Sequence, residues 1–154
     1  MGRIKIGLLA LLIFAIAIQF IQPAPNQSGQ VLETDITNVF EMPKDVQAIL
    51  RTSCYDCHSN NTKYPWYSKI QPGGWWMASH INKGKSDLNF NEFGSYSKRR
   101  QQSKLKSIAN AIEDGTMPLP SYTLIHTDAK LDREEKSLVL NWVKTTRDSL
   151  AAKN

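Results

Sequence analysis

The chain has 154 residues, a formal net charge of +5 and an ordinary apolar share of 41%. This length allows one domain and a short additional segment. When Arg3 and Lys5 are set aside with the N-terminal segment, 17 basic residues face 14 acidic ones. That excess is too small to indicate a nucleic-acid-binding protein, although it is compatible with an acidic protein partner.

Residues 1–22 are predicted to form an N-terminal membrane anchor or signal segment. Two basic residues precede an apolar run that reaches Ile21, and this run has the borderline length needed to span about 30 Å of hydrocarbon. Cleavage after Ala24 is disfavoured because Gln22 stands at −3 and Pro25 follows. We therefore predict a single-pass protein of the bacterial inner membrane whose remaining chain lies in the periplasm.

Residues 23–40 are predicted to be a flexible linker, because Pro23–Gln30 carries nothing that could pack. Residues 41–154 are predicted to form the exported domain. Its aliphatic content is modest, so a large flat hydrophobic cofactor would supply much of its interior. We expect the protein without that cofactor to be poorly folded.

A first helix is predicted to start at Met42–Pro43 and to end in the motif Cys54-Tyr55-Asp56-Cys57-His58. Two thiols three positions apart with an adjoining imidazole are the requirement for covalent attachment of a c-type haem. A cysteine-rich zinc site needs more thiolates than the two cysteines of this chain, and no βαβ pattern of a redox dithiol surrounds them. The motif therefore predicts one covalent haem per chain, with His58 as an iron ligand.

The other elements complete an all-α domain that would wrap around the haem. Helices are predicted over Gly73–Lys83, ended by Gly84, over Lys98–Asp114 and over Asp132–Ala152. Before them lies an aromatic loop over Ser59–Lys69, where Tyr64 and Trp66 could pack on a porphyrin edge or bond its propionates. These loop aromatics could equally be ordinary packing residues. Trp75 and Trp76 are expected in the pocket wall.

The sixth iron ligand is predicted to be Met117, because prolines stiffen its loop and a thioether favours one-electron transfer. His80 is the main alternative ligand, and otherwise it could bond a propionate. His126, Met77 or an open site also stay possible. The competing interpretation of a lone Met or His is a core or surface residue.

Four strings make the chain resemble the bacterial haem-binding-domain family, cytochrome c-like proteins common in Bacteroidetes. These strings are CYDCHSN at 54–60, KYPWYSK at 63–69, HINKGKSDLNFNEF at 80–93 and MPLPSY at 117–122, and His126 and the helix over 131–143 also match. The resemblance covers about 42–144. It implies haem on Cys54 and Cys57, His58 as proximal ligand and Met117 as distal residue. The chain departs from the family pattern at Lys85 and Phe93.

The sequence therefore predicts a membrane-tethered periplasmic cytochrome that passes single electrons between redox protein partners, with no substrate of its own. An alternative is a haem peroxidase-like enzyme with an open distal site, in which His80 or His126 would act as the acid–base group. A haem-based sensor or binding module is the other alternative.

Overall fold

The computed structural model describes residues 2–30 and 32–152, which contain 69% helix and no strand. The α-helices are α1 (Arg3–Ala17), α2 (Ile36–Val39), α3 (Lys44–Ser53), α4 (Tyr55–His58), α5 (Gly73–Asp87), α6 (Lys98–Glu113), α7 (Pro120–Thr123) and α8 (Arg133–Ala152). Single 3₁₀ turns cover Ile18–Phe20, Trp66–Lys69, Phe90–Ser95 and Thr127–Ala129. The predicted all-α class is confirmed.

The core forms where α3, α6 and α8 pack together and the turn over Phe90–Ser95 closes one side. Each long helix presents a stripe of apolar side chains at helical spacing, and burial of these stripes stabilises the bundle. The stripes comprise Val46, Ile49 and Leu50 on α3, Leu105, Ile108 and Ile112 on α6, and Val139, Trp142 and Val143 on α8. The helical periodicity of the sequence thus identifies the buried faces correctly.

Several predicted helix ends need correction. The first helix stops at Ser53, and Cys54 has an extended φ of −129°, so Cys57 and His58 lie on the separate short helix α4. Gly84 does not end α5, which continues to Asp87. By contrast, Gly115 follows α6 with a φ of +66°, a conformation that favours glycine.

The start of α8 matches its prediction. The Glu135 amide donates to Asp132 Oδ1 at 2.8 Å, and the Asp132 amide donates to Glu135 Oε2 at 2.9 Å. This reciprocal capping box satisfies two amides that the helix itself leaves without partners.

Arg3–Phe20 is apolar and long enough to cross a membrane by length and composition, and none of this stretch is buried. A membrane span and a signal sequence share these properties. The following segment, predicted as a linker, contacts the domain. The Asn26 side chain donates to the Ser59 carbonyl and to Thr62 Oγ1, and Ile36 is fully buried. Packing therefore begins well before residue 41.

Asp35 is a buried carboxylate that joins this segment to the core, with 1% of its surface exposed. Its Oδ1 accepts from the Thr37 amide and hydroxyl and from the Tyr55 hydroxyl, while its Oδ2 accepts from Asn91 Nδ2 at 2.6 Å. Four donors replace the water that the buried oxygens lose, as burial of a charged group requires.

Replacing Asp35 by alanine is expected to lower the free energy of unfolding by roughly 3 kcal/mol, because several buried donors lose their acceptor. Urea unfolding of the full-length protein measures this loss. Asp45→Ala is the matched control: Asp45 is exposed at the start of α3 and caps only the Val46 amide, so it should cost at most about 1 kcal/mol. Equal losses in the two variants would contradict the role given to Asp35.

Candidate functional site

The motif Cys54–His58 forms a tight turn at the junction of α3 and α4. The amides of Cys57 and His58 both donate to the Cys54 carbonyl, at 3.2 and 3.0 Å. The two thiols are half-buried and form no disulfide. Burial, together with the neighbouring Cys57, raises the pKa of Cys54 to about 12; burial, together with the charge of Asp56, raises that of Cys57 to about 11. Both side chains are therefore protonated thiols at neutral pH.

The His58 ring is held in one orientation. Its Nδ1 lies 3.0 Å from the Leu88 carbonyl oxygen, which can only accept, so Nδ1 carries the proton. Phe90 packs edge-on against the imidazole at a centroid distance of 6.1 Å. With Nδ1 engaged in this way, the lone pair on Nε2 remains available to bind an iron ion.

Two cavities meet at this motif. One of about 190 Å³ lies towards α5, and one of about 370 Å³ lies towards α6. Cys54, His58 and Met117 line both of them. The larger cavity is otherwise mainly apolar, with Leu88, Phe90, Ile108, Ala111, Ile112 and Leu131 among its lining residues. Two free thiols, an available imidazole nitrogen and a thioether beside apolar walls fit a covalently attached haem.

The alternative ligands lie on the α5 side of the motif. His80 lines the 190 Å³ cavity and also a third cavity of about 70 Å³. Its Nδ1 bonds the Trp76 carbonyl at 2.9 Å, and its ring packs against the Trp76 indole at 4.2 Å. Met77 and His126 line only the third cavity of these three. Among the alternatives, only His80 shares a cavity with both Cys54 and His58.

The three aromatic residues predicted to contact the haem, Tyr64, Trp66 and Trp76, do not all lie at the motif. Trp76 lines the 70 Å³ cavity together with Cys57 and His80. Tyr64 lines none of the three cavities, and its hydroxyl accepts from the backbone N–H of Asn26 at 2.9 Å. Trp66 also lines none of them, and 79% of its surface is exposed. The structure therefore brings only Trp76 of these three to the motif.

Tyr122 belongs to the site, although no sequence pattern singled it out as a functional residue. Its hydroxyl donates to Asp56 Oδ2 at 2.8 Å, and its ring stacks on His126 at 4.3 Å. Burial, followed by this hydrogen bond to Asp56, raises the pKa of Tyr122, so the hydroxyl remains a donor at neutral pH. The sequence signal that could have identified Tyr122 is its position at the end of the family string MPLPSY, which starts at Met117. Tyr122 fixes α7, and with it the loop of Met117, against the motif.

Gly84 permits close contact between α5 and the motif. A Cβ atom at this position would lie 2.7 Å from the Cys57 carbonyl oxygen, well inside van der Waals contact. This contact explains why α5 contains a glycine where the sequence indicated a helix end: the residue is needed for close packing of two backbones.

Replacing Gly84 by alanine is expected to push α5 away from α4 and to destabilise the protein by roughly 1–3 kcal/mol, despite the better helix propensity of alanine. Thermal unfolding and the haem content per chain should both fall. Gly73→Ala is the matched control, since nothing lies within 4 Å of a Cβ at the start of α5. An unchanged melting temperature in Gly84→Ala would show that the two helices are not held at this distance.

Comparison with known proteins gives one match. The family model described as haem-binding domain matches residues 13–145, which is most of the chain. Neither the curated proteins nor the solved structures contain a significant match. The family match covers every residue of the site described above.

Proposed function

The chain belongs to the haem-binding domain family, and from this premise we propose that it is a membrane-tethered c-type cytochrome that carries single electrons in the periplasm. Cys54 and Cys57 would hold one haem through two thioether bonds. His58 would bind the iron through Nε2, and Met117 would supply the second iron ligand from the protein. The haem supplies reversible one-electron chemistry at its iron when it is bound.

The protein's own contribution is orientation and polarity. The Leu88 carbonyl fixes the His58 ring and, as a hydrogen-bond acceptor for Nδ1–H, makes the imidazole a better electron donor. The apolar residues of the 370 Å³ cavity exclude water from one face of the site. Tyr122 and Asp56 hold the Met117 loop close to the motif. Side chains held in this way would keep their positions around a bound haem.

The observation that carries the proposal is the convergence of Cys54, His58 and Met117 on the same two cavities, although Met117 lies far from the motif in sequence. A thioether ligand raises the reduction potential and occupies the position that oxygen chemistry would need. Electron transfer is therefore favoured over a peroxidase-like reaction. The exposed apolar helix α1 supports the tether and the export of the domain.

The proposal is tested on full-length protein produced in a bacterium that has haem-attachment machinery. Mass spectrometry should show one added haem on the peptide that contains Cys54 and Cys57, and an intact N-terminal segment. The absorption spectrum should be that of six-coordinate low-spin iron with the weak far-red band of a sulfur ligand. A high-spin spectrum that changes with peroxide would favour an enzyme, and one that changes with carbon monoxide alone would favour a sensor.

A further inference from the structure

The end of the N-terminal apolar helix is attached to the haem domain by several polar contacts. The Gln19 side chain forms two hydrogen bonds with the Gln71 backbone. Its Oε1 accepts from the backbone N–H at 2.8 Å, and its Nε2 donates to the backbone carbonyl at 3.2 Å. Gln22 Nε2 donates to the Lys69 carbonyl, and Trp75 Nε1 donates to the Ile21 carbonyl at 2.8 Å. The loop around residues 69–75 therefore lies directly beside the end of the apolar helix.

Exposed aromatic and aliphatic side chains surround this attachment point. They form what we call the aromatic patch, which consists of Trp66, Ile70, Trp75, Trp76 and Ile125, with exposed fractions of 79, 50, 36, 54 and 61%. Pro65, Trp76 and Ile125 meet in the lining of the 70 Å³ cavity, so the segment 120–126 adjoins the loop and the first turn of α5. Such a concentration of exposed large apolar residues is uncommon on a surface that faces only water.

We propose that the aromatic patch lies in the headgroup region of the bilayer that the apolar helix crosses. This inference rests on the membrane tether of the proposed function. Trp is enriched at membrane–water interfaces because its ring is apolar and its indole N–H is polar. The patch is continuous with the helix, since residues 19–22 bond directly to residues 69–75. Lys69 stands in the same loop and is exposed, so its ammonium group can meet anionic lipid phosphates.

The inference sets the orientation of the domain on the membrane. A tether through a flexible linker would let the domain tumble above the bilayer, whereas the patch fixes one face of it. Trp76 belongs to the patch and also lines the cavity that contains Cys57 and His80. The α5 side of the haem site therefore faces the lipid surface, whereas no residue of the aromatic patch lines the 370 Å³ cavity beside α6.

Lipid photolabelling tests the inference with the haem-loaded full chain in nanodiscs of phosphatidylethanolamine and phosphatidylglycerol. A small fraction of the lipid carries a diazirine near the carbonyl of its acyl chain. After irradiation and trypsin digestion, adducts are expected on four peptides, 6–44, 64–69, 70–83 and 107–130, the last of which contains Ile125. Peptide 137–144 of α8 should stay unlabelled, because α8 packs on α3 and α6 and carries no residue of the aromatic patch.

The outcomes separate the inference from the proposed function. Adducts on 6–44 without adducts on 64–83 would overturn the inference while the tether stands. If the purified protein has lost residues 6–22 by cleavage and does not enter the discs, the tether itself is disproved. If the patch binds a second copy of the chain, 64–83 stays unlabelled and each disc holds two chains, which also overturns the inference.

A matched pair of variants provides a second test of where the aromatic patch lies. Ile70→Asp places a negative charge in the patch, so peptides 64–69 and 70–83 should lose most of their adducts while peptide 6–44 keeps its own. Val39→Asp makes the same change at an exposed aliphatic residue on α2 that is not part of the aromatic patch, and it should leave the labelling unchanged. Equal labelling in Ile70→Asp and the unaltered protein would contradict the placement of the patch.

Discussion

Replacing both Cys54 and Cys57 by serine is expected to abolish covalent haem attachment completely. Serine is close to cysteine in size but has no sulfur with which to form a thioether bond to the porphyrin. The two thiols occupy the ends of one tight turn, within the site that His58 and Met117 also line. Mass spectrometry and peroxidase staining of a denaturing gel measure the effect, and both signals should vanish from the double variant.

The single variants serve as controls for this result. Cys54→Ser and Cys57→Ser should each retain one thioether bond, with a reduced yield and an absorption maximum shifted by the unreacted vinyl group. In the double variant, any haem still held by His58 and Met117 should pass into acidified organic solvent. Haem that stays bound to the double variant after this extraction would contradict the attachment through both thiols.

Replacing Met117 by leucine is expected to lower the reduction potential by on the order of 0.1–0.3 V, part of the roughly 0.8 V range that axial ligands control. Leucine preserves the volume of the side chain but offers no lone pair to the iron. Met117 is 38% exposed at its cavities, so the substitution should cost little stability. Potentiometric titration and the loss of the far-red sulfur band check this result.

Two further variants assign the sixth ligand. Met77→Leu makes the same change at a residue that lines only the third cavity, so its potential and spectrum should equal those of the unaltered protein. His80→Gln should likewise retain the far-red band. If His80→Gln, and not Met117→Leu, changes the spectrum and potential, His80 is the ligand and the assignment of Met117 is wrong.

The helical class and the buried faces could be predicted from the sequence because they depend on local periodicity. Apolar residues three and four positions apart mark the stripe of α6 whatever it packs against. The capping box at Asp132 likewise depends on residues three positions apart. The haem motif itself is a contiguous string, so its chemistry is readable without a fold.

Residues whose roles depend on distant partners could not be assigned in this way. The sequence pattern predicts a helix end at Gly84 because glycine often ends helices, whereas its actual role depends on the Cys57 backbone across the helix interface. Asp35 and Asn26 were assigned to a linker, since the partners of both lie far along the chain. Trp66 and Trp76 are both predicted to contact the haem, and only packing places Trp76 beside Cys57 and leaves Trp66 mostly exposed.

The sequence by itself thus determined the Cys54–His58 motif, the helical class and the apolar N-terminal helix, because each is encoded by residues close together in the chain. Only the tertiary structure decided which side chains reach the motif, how the Leu88 carbonyl orients His58 and where the aromatic patch lies. These features arise from contacts between segments 30 or more positions apart. Local sequence patterns carry no information on such contacts, since many chain paths can bring the same residues together.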